Sequence, residues 1–217
     1  MKEKFIKSTI ILLLGGFLTK VLGMIIKIIM SRLIGTEGLG LYMLILPTFS
    51  LFIGISQLGM PVALAKLIAE EKRNNKRLFF SVVPVILLVN VFLIILIVLL
   101  APVLSNNLLH NKDTYYGIMA IALVIPFTSI SSICRSYFFG KERMCPHVIS
   151  NLVEDVVRLG LMIIGIPFVI DKGLQYAVCY IILSNIISEA ASIIILFLFL
   201  PKKLVIKRND LKLDKSY

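Results

Sequence analysis

No phosphate-cradling loop occurs in this chain of 217 residues. Neither GxxxxGK[ST] nor GxGxxG is present, so nothing in it is built to hold a nucleotide. His110 and His147 stand far apart without ligand spacing, and no metal site is expected. No hydroxyl, thiol or amine is paired with a base in a recognisable pattern. The acids do not form the carboxylate cluster that a metal-dependent phosphotransferase needs. Catalytic residues and cofactors are therefore expected to be absent. Cys134, Cys145 and Cys179 are odd in number and scattered, and no disulfide is expected among them.

Acidic residues are scarce, 12 against 23 lysines and arginines, while 59% of the chain is hydrophobic. With a mean hydropathy of +0.98, that apolar content exceeds what a soluble domain of this size needs and suits a multi-span membrane protein. The basic excess does not mark a nucleic-acid partner, because it sits in short loops between apolar runs. The basic start, Met1 to Lys7, leads into a run too long for a cleavable signal and without a small-residue cleavage site. Six spans are expected, at approximately 8–30, 39–64, 78–103, 115–138, 149–170 and 174–200. Each is long enough to cross ~30 Å of hydrocarbon as a helix. Strands are not expected, since the runs lack alternation and a membrane sheet must close into a barrel.

With the N-terminus inside, the cytoplasmic segments carry Lys2, Lys4, Lys7, Lys66, Lys72, Arg73, Lys76, Arg77, Lys141 and Arg143, and the tail adds six more. The opposite side carries Arg32, Lys112 and Lys172. That asymmetry places both termini in the cytoplasm. Residues 1–200 form the transmembrane lobe and 201–217 a basic cytoplasmic tail suited to anionic lipid.

Ionisable residues inside the spans are the informative minority. Gly16, Lys20, Gly23 and Lys27 recur at i, i+4, i+7 and i+11, one face of the first helix. A lysine at mid-bilayer costs about 2.5–3.5 kcal/mol on the insertion scale, against about −0.3 to −0.6 for each Leu, Ile, Val or Phe. Such a face is expected to turn toward a bundle interior or a wet cavity. Lys27, near the end of its span, is also within snorkelling reach of the interface, whereas Lys20 lies near the middle. Ser50, Gly54, Gln57 and Pro61 make a stripe in the second span, and Thr128, Ser131, Ser132 and Arg135 in the fourth. In the fifth, Glu154 and Arg158 are an i, i+4 pair with Asp155 beside them. In the sixth, Asn185, Ser188, Glu189 and Ser192 align. Asn90 is the one strongly polar residue of the third span, which is expected to face lipid. Serines in membrane helices commonly bond backbone or a neighbouring helix, and Glu154 with Arg158 forms a pair on its own.

Several short segments, in order along nearly the whole chain, carry a family resemblance. They are Lys20-Val-Leu-Gly23, Ser31-Arg32 through Gly35-Thr-Glu37-Gly38-Leu-Gly40-Leu-Tyr42, Gly59-Met60-Pro61 with Ala65-Lys66, Tyr137-Phe-Phe-Gly140-Lys141 with Met144, and Glu154 with Arg158. The chain resembles polysaccharide-type flippases of the multidrug/oligosaccharidyl-lipid/polysaccharide exporter superfamily. The resemblance implies an all-α integral membrane fold in which this six-helix bundle is one lobe of a two-lobe exporter. It implies transport of a lipid-linked oligosaccharide or peptidoglycan precursor across the cytoplasmic membrane, with the substrate's anionic pyrophosphate recognised by cations. The candidate substrate-binding residues are Lys20, Lys27, Arg32, Arg135 and Arg158, supported by Gln57, Glu154, Asp155 and Glu189. Membrane lipid and a second lobe, or self-association, are the expected partners. Drug or cation antiport on the same fold is the sister reading, and a non-transporting subunit of an envelope complex is the third.

Orientation is open to a direct check on a protein otherwise free of cysteine. A Cys replacing Asn107 should react with an impermeant reagent applied to intact cells, and one replacing Asn74 should not. The reverse pattern would invert the topology.

Overall fold

The computed structural model describes residues 2–70 and 75–200, with side chains described from residue 6 and from residue 81 in those stretches. The tail 201–217, Lys72 and Arg73 lie outside the described residues, as do the side chains of Lys2, Lys4, Lys76 and Arg77. Helix α1 runs Lys2–Gln57, α2 Met60–Glu70, α3 Asn75–Val103, α4 Thr114–Gly140, α5 Met144–Val169 and α6 Leu174–Phe199. A single π turn, Leu104–Leu108, closes α3, and a 3₁₀ turn, Ile170–Lys172, joins α5 to α6. Among the described residues there is no strand.

Four segments are long and apolar enough to cross a membrane: Ile6–Glu70, Ser81–Leu108, Thr114–Gly140 and Leu174–Phe199. That is fewer than the six separate spans expected, for two physical reasons. The first two expected spans are joined without a loop, because the chain stays helical through Ser31–Arg32 and Thr36–Glu37 and departs from helix only at Gly35. Gly35 has φ 71° and ψ −176°, a conformation essentially reserved for glycine. The second reason is α5, whose length suffices but whose Glu154, Asp155 and Arg158 interrupt its apolar run.

The break after Gln57 comes where Leu58 and Gly59 take positive φ, 46° and 70°. Pro61 then falls in the first turn of α2, where its missing N–H is not needed. The helix is thus interrupted outright just ahead of the proline.

Helix α4 is the centre of the bundle. Its apolar window is 67% buried, against 39% for α6, 22% for α3 and 11% for α1. Small residues make this possible: Gly117, Ala120, Ala122, Ser129, Ser131 and Ser136 are all buried, letting neighbouring backbones come close. Packing of α1 up to its kink is narrow. Gly15 meets Val148 of α5, Ile26, Met30 and Ile34 are buried, and Leu13, Phe17, Met24 and Ile28 are exposed. Helix α3 buries a single stripe, Ile86, Asn90, Leu93, Ile97 and Ala101. Its other faces suit lipid, as expected, but Asn90, the one strongly polar residue of the span 78–103, points inward.

The helix ends group into two layers. At one end Ser8 Oγ donates to the Glu142 carbonyl, 3.1 Å away, and Gly140 approaches Ala65 and Ile68 of α2. At the other, Gly38 approaches Leu174 and the rings of Tyr116 and Tyr176 lie 5.3 Å apart. Gly35 lies in this second layer, so the two arms of α1 run in opposite senses through the bundle.

Gly35→Ala should therefore cost about 1–3 kcal/mol of stability, the usual range for a side chain forced into such backbone. Gly40→Ala, where an added methyl meets open space, should cost nothing. Thermal unfolding in detergent distinguishes the two, and equal midpoints would mean the kink is not strained by a side chain.

Candidate functional site

The spans bring two separate groups of charge into view. The first is enclosed. Arg135 from α4, Glu154, Asp155 and Arg158 from α5, and Glu189 and Ser192 from α6 form one network. Arg135 Nη2 donates to Glu154 Oε2, to Ser192 Oγ at 2.9 Å and to Glu189 Oε2 at 3.3 Å. Arg158 Nη2 donates to Glu154 Oε1, and its Nη1 to Asp155 Oδ1 at 3.3 Å. Glu154 is therefore the bridge, each oxygen taken by a different guanidinium. It is 8% exposed and Glu189 6%. Helical spacing makes the α5 part, since Asp155, Glu154 and Arg158 lie three and four residues apart. The α4 and α6 parts depend on tertiary packing. Glu189 is bound to Arg135.

One face of this network opens to a cavity of about 350 Å³ lined by Gln57, Pro61, Val62, Ala65, Ser132, Arg135, Ser136 and Phe139. The break between α1 and α2 forms one wall, and α4 the other. Gln57 Nε2 donates to Ser132 Oγ at 2.9 Å across it, joining the polar stripes of the two helices as their spacing implies.

The second group is open. Lys20, Lys27 and Arg32 are all exposed. Among the described residues, no ion pair involves them. An added Cβ at Gly16 or Gly23 meets nothing within 4 Å. Of the two directions expected for the stripe, the interior of this bundle is not the one taken: it faces away from the other helices, because α1 packs through Gly15, Ile26, Met30 and Ile34 on another side. Of the five basic residues assigned to substrate, the fold thus gathers Arg135 and Arg158 and leaves Lys20, Lys27 and Arg32 apart from them.

A third polar cluster was not anticipated. Ser129 Oγ lies 3.2 Å from Ser56 Oγ and 3.3 Å from Asn90 Oδ1, tying α1, α3 and α4 together. The signal available for it was Asn90 itself, an isolated amide in an otherwise apolar helix, which membrane helices commonly use to hold a neighbour. Among the described residues, no group of His, Cys, Asp and Glu is arranged to hold a metal ion.

The model of the polysaccharide biosynthesis protein family matches residues 5–213. Stage V sporulation protein B of Bacillus subtilis (strain 168) is 35% identical over 95% of this chain and 41% of its own length. Lipid II flippase MurJ of the same organism is 25% identical over 94% of this chain and 40% of its own. Sporulation protein YkvU, also from that organism, is 24% identical over 85% and 42%. The chain spans about two-fifths of the length of the curated relatives it matches. No solved structure gives a significant match.

The bridge has a measurable consequence. Glu154→Gln removes the carboxylate shared by two half-buried guanidinium groups, leaving Arg135 with Glu189 and Arg158 with Asp155, and should cost about 1.5–3 kcal/mol, the range for hydrogen bonds to charged groups. The exposed Lys66–Glu70 pair is the comparison: Lys66→Ala should cost less than about 1 kcal/mol. Chemical denaturation of both variants reads the difference, and a mild Glu154→Gln would show that the network does not hold the helices.

Proposed function

The chain belongs to the polysaccharide biosynthesis protein family, and from that premise we propose that it serves as one lobe of a flippase. Its substrate is a lipid-linked oligosaccharide or peptidoglycan precursor, moved across the cytoplasmic membrane without chemical change. The observation that carries the reading is the pair Lys20 and Lys27, exposed on a glycine-flanked stripe of a membrane helix with no ion pair among the described residues. Bare ammonium groups facing hydrocarbon are costly. The same groups facing a wet cavity between this lobe and another are well placed to meet a pyrophosphate. An ammonium binds phosphate as a compact charge, and Arg32, toward the outer layer, adds bidentate geometry.

Six passes fit this reading. The kink at Gly35 divides α1 into two arms, and the charges of α5 are compensated by α4 and α6, so each arm and each long helix crosses once. Both termini then lie in the cytoplasm. The open stripe on α1 is where a second lobe, or another copy of this chain, would complete the cavity. Arg135 acts on substrate only through the cavity beside Gln57, and Arg158, which does not line it, acts through Glu154, since Glu154 and Asp155 already occupy the two guanidinium groups. Drug or cation antiport would call for carboxylates on the open face. Here Glu154, Asp155 and Glu189 are enclosed with arginines instead.

Lys20 and Lys27 are about 10 Å apart along the helix axis at 1.5 Å per residue, so they serve successive positions of one head group. In an assembled two-lobe protein, Lys20→Ala should abolish translocation of a lipid-linked saccharide in vesicles, and Lys20→Arg should retain part of it. Protein levels must be matched, so that lost insertion is not read as lost transport. Wild-type rates for both Lys20→Ala and Lys27→Ala would leave snorkelling as the better account of the stripe.

A further inference from the structure

We propose that the enclosed network is a proton-binding site, with Glu189 as the residue that carries the proton. The charge count comes first. Three carboxyl groups, Glu154, Asp155 and Glu189, share two guanidinium groups, Arg135 and Arg158. One carboxylate is left without a counter-charge inside a helix bundle, where an unpaired charge is strongly disfavoured.

Hydrogen bookkeeping says which one. Arg135 Nη2 has two hydrogens and three acceptors around it: Glu154 Oε2, Ser192 Oγ and Glu189 Oε2. At least one acceptor must go without. Glu154 also takes Arg158, and Asp155 has Arg158 Nη1. Glu189 makes the longest contact to Nη2, 3.3 Å, and has no second guanidinium. A proton on Glu189 neutralises the excess charge and turns an acceptor that lacks a hydrogen into a donor.

A second observation bears on the same carboxyl. The Ser131 hydroxyl is fully buried and faces the Glu189 carboxyl, yet it closes no hydrogen bond. A hydroxyl accepts from a protonated carboxyl and donates to an ionised one, so Ser131 serves Glu189 in both states.

The surroundings supply no other counter-ion. Cys134 and His147 lie in electrostatic range of Arg135, and Tyr42 of α1 in range of Arg158. The thiol and phenol are neutral, and a cationic His147 would be repelled by Arg135. Helix α2 brings Pro61, Val62 and Ala65 to the cavity, none of them ionisable. That same cavity, through Arg135, gives the network its contact with water. On losing its proton, Glu189 competes with Glu154 for Arg135, so protonation is coupled to the packing of α4, α5 and α6. If the flippase reading holds, this is where a proton gradient would act on the lobe; the site itself does not depend on that reading.

Infrared difference spectroscopy of the protein in lipid nanodiscs, stepped from neutral to alkaline pH, is the test. The expected result is a protonated-carboxyl C=O band at neutral pH that disappears on the alkaline step. It should be absent from Glu189→Gln and retained in Asp171→Asn, whose carboxyl lies in the turn between α5 and α6, outside the network. Glu189→Gln should keep wild-type helicity and melting at neutral pH, since a neutral amide replaces a neutral acid. The proposal is overturned by a wild-type spectrum without the band, by its persistence in Glu189→Gln, or by a Glu189→Gln protein that does not fold. A carboxyl response set by sodium rather than pH would overturn it too. Because the readout is a carboxyl and not translocation, a silent transport assay leaves this result standing, and the converse is also true.

Discussion

Everything in the inner half of this bundle depends on Glu154 being shared between two guanidinium groups. Charges do not stay in a membrane helix unless they compensate one another. The bridge lets Arg135, Arg158 and Asp155 do so while drawing α4, α5 and α6 together. Lipid tails are as apolar as leucine, so helices in a bilayer gain little from burying apolar surface against each other. Polar bridges and close packing of small residues must supply the association. The Ser56–Asn90–Ser129 cluster does for α1 and α3 what the ionic bridge does for α5 and α6, and α4 contributes to both. That double duty explains why α4, rich in serine, alanine and glycine, is the most buried helix.

The cations divide by surroundings rather than by type. Arg135 and Arg158 are held by carboxylates and belong to the architecture of the lobe. Lys20, Lys27 and Arg32 lie on α1, the least buried helix, with no acid beside them among the described residues. An architecture that invests its acids in one set of cations leaves the other set available for an anion from outside. Under the two proposals above, the division also separates two kinds of site: an enclosed one whose charge is adjusted by a proton, and an open one whose charge is adjusted by a ligand.

Much of this was legible in residue spacing. The ends of α3, α4 and α6 fall within a few residues of the apolar runs, since length and hydropathy decide them. Glu154, Asp155 and Arg158 were readable as neighbours because helical spacing alone joins them. Arg135 and Glu189 were recognisable as out of place in lipid, but not as partners of Glu154. That requires the crossing of α4 and α6, which no local pattern encodes. Which of its two expected directions the Lys20 stripe takes was not legible for a related reason. A periodic face says which residues share a side, but whether that side meets this bundle depends on what packs against α1, and Gly15 with Ile26 and Met30 claimed the contact. Gly35 carried a signal that was read as a loop, because a single glycine among Thr, Glu and a second glycine looks like a turn and not like one irregular residue between two helical arms.

The charges of α5 also bear on biogenesis. A translocon that judges each segment as it emerges meets Glu154, Asp155 and Arg158 together, and α5 alone is a poor substrate for lateral release into lipid. Its own i, i+4 pairing offsets part of that cost. Arg135 is already in place on the helix made before it, whereas Glu189 arrives only with the helix made after. Helices α4 to α6 are thus suited to leave the translocon as a group, with α5 retained until α6 is synthesised. The ionic bridge that fastens the finished bundle would thereby also set an order for its assembly.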